Sequence, residues 1–168
     1  MKKILLAMLA LSGTVLLGNG SAYTQAHAQA AASQGSIDQD IELLRKDVRS
    51  QKKQLIAANV QLTDAEAQKF WPVYDQYTAE LAKINNDKYA LIKEYAQSYD
   101  TMTDAQADDL TKRALKLDVD VAALRQKYLS NFHAVLSAKK TALYEQVERK
   151  AQMLIDVQLS MQIPLVQQ

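Results

Sequence analysis

Few side chains in this sequence have the type and spacing to do chemistry. The 168-residue chain has no cysteine and only two histidines, His27 and His133. A general base or an activated nucleophile needs a partner that positions it. His133, alone on a helix beside Phe132, has none in view. Asp104 and Asp108, one helical turn apart, come nearest to a metal pair. A transition-metal site wants several His, Cys or carboxylate ligands converging, and an acid at this position more simply serves the positive end of a helix. There is no glycine-rich phosphate loop. These residues read as a protein that is not an enzyme and uses neither a metal nor a cofactor.

What is left is the chemistry of contact. Phe70, Trp71, Tyr74, Tyr77, Tyr89, Tyr95 and Tyr99 crowd one stretch of chain. Phe70, Tyr74, Tyr77 and Tyr95 recur at helical spacing and read as core. Trp71, Tyr89 and Tyr99 lie off that ladder and could line a shallow surface, where an aromatic body with a polar tip makes adaptable contacts. Arg45, Lys46, Arg49, Lys52 and Lys53 face a single acid, Asp47. They read either as a solvated face or as a basic flank that attracts acidic chain segments or anionic lipid head groups. Arg45, Arg49, Lys52, Lys53, Trp71, Tyr89 and Tyr99 are therefore the candidate binding surface.

The elements that would position these residues begin after an export signal. Met1-Lys2-Lys3 precedes an apolar run from Ile4 to Leu17, which is the secretory pattern. The run is shorter than the ~20 residues a spanning helix needs. Ala26-His27-Ala28 offers small residues at −3 and −1, with Ser21 and Ala22 keeping an earlier cut open. The expectation is a cleaved signal peptide over 1–28, a flexible leader over 29–35 and one helical domain over 36–168, exported to a bacterial periplasm with no later membrane span. Cleavage after Ala28 would remove Lys2 and Lys3 and leave 18 basic against 19 acidic residues. Such a balance lacks the basic excess of a nucleic-acid binder. A chain without cysteine must be held by packing rather than disulfides.

No glycine follows Gly35, and Pro72 and Pro164 are the only prolines. A chain so poor in turn-formers makes few, long elements. The spacing predicts an all-α protein of four helices, about 36–57, 63–99, 103–136 and 137–162, in an elongated antiparallel hairpin arrangement. Ser36 with Gln39, Thr63 with Glu66 and Thr103 with Gln106 are capping boxes, with Leu62 and Met102 just ahead of the last two. Ser137 caps the fourth helix. The first helix carries Ile37, Ile41, Leu44, Val48 and Leu55 as its stripe and fades near Ala57-Ala58-Asn59. In the second, Phe70, Tyr74, Tyr77, Leu81, Ile84, Leu91 and Tyr95 form a ladder of period 3.5, a coiled-coil-like seam, with a bend expected near Pro72. Leu110, Ala114, Leu117, Val121, Leu124 and Tyr128 continue the pattern in the third. Val147, Ala151, Leu154 and Met161 mark the fourth, with a second row at Met153, Val157 and Ser160.

The stretches 61–67 and 101–107 echo each other at a spacing of 40 residues. Capping chemistry alone selects this pattern; duplication of a helical hairpin would also produce it. The two motifs, LTDAE and MTDAQ, resemble the paired LTxxQ motifs of the Spy/CpxP-like periplasmic proteins. Glu66 stands where that pattern has Gln, and Met102 where it has Leu. A branch of bacterial exported proteins looks closer still, through LTDAEAQKFWPVYDQY (62–77), LIKEYAQSY (91–99), SAKKTALYEQVE (137–148) and the IPLV ending (163–166). The resemblance implies an elongated, four-helix homodimer. It also implies an ATP-independent chaperone for unfolded or partly folded envelope proteins, or an adaptor that reports envelope stress. A regulatory protein contacting the periplasmic domain of a membrane sensor is the alternative. Some relatives bind metals, for which this chain has no matching residues.

Overall fold

The computed structural model describes Lys46 and residues 48–166. The expected signal peptide and leader, Ser36, Gln39 and Arg45 lie outside the described residues. The chain divides into two compact units, Met1–Lys53 and Gln54–Gln168. In the first, residues 48–53 are helical, with Arg49 exposed, Lys53 half-buried and Lys52 buried.

Four helices are described. Residues 48–60 form α1. They are followed by α2 (Asp64–Ser98), a 3-10 turn (Tyr99–Thr101), α3 (Asp104–Val135) and α4 (Ala138–Ser160). There is no strand among the described residues, and the architecture is all-α. The caps start the helices where the sequence places them. Thr63 Oγ1 accepts from the Glu66 N–H at 3.3 Å, while the Glu66 carboxylate takes the Thr63 N–H at 2.8 Å. Thr103 and Gln106 repeat this at 3.3 and 2.9 Å. Ser137 Oγ accepts from the Lys140 N–H at 3.3 Å. Each cap satisfies donors that a helix start otherwise leaves without partners. Pro72 lies inside α2 on its exposed side, where the Gln68 carbonyl it cannot bond is on a solvent-facing residue.

Ion pairs fix the register of the second unit. Lys127 reaches Glu80 at 2.6 Å and Arg113 reaches Glu94 at 2.7 Å, so α2 and α3 run antiparallel without slipping. Lys140 pairs with Glu66 at 2.6 Å and Lys88 with Asp156 at 2.9 Å, so α4 lies alongside α2 in the same direction.

The core is concentrated at the end that holds the α1–α2 and α3–α4 turns. Phe70, Tyr74, Tyr77 and Leu81 from α2 meet Leu124, Tyr128 and Phe132 from α3, Tyr144 and Val147 from α4, and Ile56 and Val60 from α1. Phe132 and Tyr144 pack with their rings tilted by 46° at a separation of 4.4 Å, and Phe70 sets its edge against Tyr144 at 5.2 Å. Burying one such side chain contributes ~1.5–3 kcal/mol, and well-placed ring pairs add ~0.5–1.5 kcal/mol each. Further along α2 the same ladder is only half-buried, at Ile84, Leu91 and Tyr95.

Three stripe assignments change. The described helix α1 continues to Val60 rather than fading at 57–59, because Ile56 and Val60, four residues apart, both enter the core. Leu55 is turned out from that face, and Gln61 ends the helix with a φ of 46°. On α3 the ladder holds at Leu110, Leu124 and Tyr128, but Ala114 is exposed. On α4 the buried face is Thr141, Tyr144, Val147, Glu148 and Ala151. Leu154 is 63% and Met161 78% exposed. Beyond Ala151 the half-buried apolar side chains of this helix are Ile155 and Leu159, and Lys88 pairs with Asp156, so Leu154 and Met161 turn outward.

Candidate functional site

The two capping motifs differ by one atom type, and the structure gives the difference a use. Glu66 closes its cap and also receives Lys140 from α4 at 2.6 Å. The same ammonium donates to the Gln61 carbonyl at 3.2 Å. The Lys140 ammonium and the Thr63 donors hold the Glu66 carboxyl well down, at about 2. Gln106 serves the second cap as a neutral acceptor. The first motif is thus a charged clasp between the α1–α2 turn and the start of α4, with Leu62 packed against the core beside it.

The aromatic candidates do not form one surface. Trp71 is half-buried, edge-on to Phe70 at 5.0 Å and to Tyr74 at 5.7 Å. Tyr89 is half-buried lower on α2. Tyr99 sits at the far end, where its hydroxyl donates to the Leu165 carbonyl at 2.9 Å. Of the basic candidates on α1, Arg49 is exposed while Lys52 is 8% exposed. His133 is exposed in the last turn of α3. Asp108 pairs with Lys112 at 2.6 Å, and Asp109 with Arg113 at 2.8 Å.

Glu148 is the residue that the sequence reading passed over. It is 1% exposed, inside the aromatic cluster. Tyr74, Tyr77 and Tyr144 lie around it, each close enough to be influenced by it. All three phenols are pushed above the ordinary tyrosine range, first by burial and then by Glu148. They stay protonated. Arg125 lies close enough to Tyr77 to oppose that shift. A buried acid ringed by phenols is costly unless it is satisfied, and it favours one packing over near alternatives. The pair Tyr144 and Glu148, four apart on α4, was the available signal.

A groove along α3 and α4 carries the other arrangement of note. It encloses about 660 Å³ and is lined by Arg125, Arg149, Lys150, Met153, Asp156 and Val157, among others. Met153 is 60% and Val157 49% exposed. Three cations therefore border an uncovered apolar strip. The strip includes two members of the second row on the fourth helix, but Arg149 and Lys150 carried no sequence signal that set them apart from a solvated face. By the α2–α3 register, Leu115 and Val119 lie level with this part of α4, and they too are exposed.

Among the described residues, no three His, Cys, Asp or Glu side chains converge as metal ligands. No described helix is long and apolar enough to cross a membrane. Compared with known proteins, the chain matches no family model, no curated protein and no solved structure.

Proposed function

We propose that this chain is an ATP-independent periplasmic chaperone or envelope-stress adaptor of the Spy/CpxP kind, and that the α3–α4 groove holds its clients. One observation carries the reading: an uncovered apolar floor, Met153 and Val157, bordered by Arg125, Arg149 and Lys150. Exposed aliphatic side chains bind partly folded chains without asking for a sequence, and uncovered apolar patches mark interaction sites. The cations select clients whose apolar segments carry acidic residues and speed their capture. Methionine suits such a floor because its flexible thioether adapts to many shapes.

The test is aggregation of a model envelope protein followed by light scattering, without nucleotide. Suppression at several-fold molar excess supports the reading. Unchanged scattering together with one tight partner recovered from envelope extract would replace it with contact to a sensor.

A further inference from the structure

The far end of α2 carries a second contact that the groove does not explain. Tyr95 and Tyr99 stand one helical turn apart, their rings 5.7 Å apart at an angle of 67°. The Tyr95 hydroxyl donates to the Pro164 carbonyl at 2.8 Å, and the Tyr99 hydroxyl to the Leu165 carbonyl at 2.9 Å. Successive carbonyls of the C-terminal tail are thus held by two phenols, one in the last turn of α2 and one at the start of the 3-10 turn.

The tail presents itself in a particular way. The helical hydrogen-bond pattern ends with the Ile163 N–H bonding the Ser160 carbonyl at 3.3 Å. Pro164 cannot continue a helix and biases the residue before it toward extended backbone. Leu165 is 89% and Val166 54% exposed, and the recorded bonds to the tyrosines go through the Pro164 and Leu165 carbonyls. The two phenols read main chain, not side chains. Extended proline-containing segments are bound elsewhere by aromatic pairs in this manner, since their backbone is already ordered and its carbonyls are free.

We propose that Tyr95 and Tyr99 form a docking site for an extended, proline-containing apolar segment, which residues 163–166 fill in cis and a client segment displaces. The displacement by clients rests on the chaperone reading; the docking site itself does not. Because the contact reads carbonyls, the site tolerates many sequences, as a chaperone's second foothold should. The tethered tail competes at an effective concentration of order mM, so it screens out weak or accidental ligands.

The absence of native cysteine lets one spin label report on the tail. In full-length Val166→Cys, the label is expected to be restricted. A peptide of the sequence 162–166, added above ~10 mM to exceed the tether, should at least halve the restricted fraction. Tyr95→Phe with Tyr99→Phe should release the label with no peptide, in a chain whose helical content is unchanged. A restricted spectrum that ignores the peptide overturns the docking site, and so does one that ignores the double variant in a folded chain. If the phenylalanine chain fails to fold, the peptide titration on the native tyrosines still decides. With a client, suppressed aggregation and an unmoved tail would overturn displacement while leaving the proposed function standing.

Discussion

Glu66 shows how much one atom changes a capping motif. The first copy could have carried glutamine, as the second does, and capped its helix equally well. The carboxylate adds the Lys140 bond that joins two turns of the fold. Its pH consequence has a definite sign. The folded carboxyl lies at about 2 against 4.5 for the free group, so its contribution is complete above 4.5 and drains away as pH falls toward 2. Glu66→Gln should therefore flatten the acid limb of a stability–pH curve across that window while keeping the cap. A curve of unchanged steepness would show that Lys140 does not engage it in solution. At Thr103 the expected loss is simpler: Thr103→Ala should cost ~1 kcal/mol in a denaturant melt. The caps were legible because they depend on residues three apart. Lys140 was not, because its partner lies 74 positions away.

At the scale of the elements, the all-α class, the starts of α2, α3 and α4 and the apolar face of α2 were legible from periodicity and caps. The burial along α4 was not. Periodicity names the face of a helix that is apolar; it does not say how far the neighbour extends to cover it. Val147 and Ala151 are buried and Ile155 and Leu159 half-buried, whereas Leu154 and Met161 lie exposed. Glu148 marks the opposite case, an acid on the covered face. The two halves of the helix bundle should respond to mutation in contrasting ways. Phe132→Ala removes a fully buried ring between α2 and α4 and should cost ~3–5 kcal/mol. Leu154→Ser should shift stability by no more than about 0.5 kcal/mol, as exposed positions do. Comparable losses from both, in chemical denaturation, would mean that the later part of α4 is covered in solution.

Taken whole, the molecule has a near-neutral charge, one acid-poor groove border and an aliphatic strip. The sequence pointed to binding through surplus aromatics. The structure absorbs Trp71 and Tyr99 into internal contacts and leaves leucine, valine and methionine outside. That outcome was not legible because aromatic and aliphatic rungs look alike until the neighbours' lengths are known. Arg149→Gln with Lys150→Gln should slow capture of an acidic client by about tenfold or more at low salt and leave little salt dependence. A rate that keeps its native salt dependence would remove these cations from the site. The crowding of aromatic rings at one end has a last consequence. Opening free energies need not be uniform along a fold. Amides in 74–81 and 124–132 should exchange with deuterium only through global unfolding, while those in 88–98 and 108–119 exchange through smaller, local openings. The molecule would then behave as a rigid grip with compliant arms, able to shape its outer helices around a bound chain without risking the knot that keeps them together.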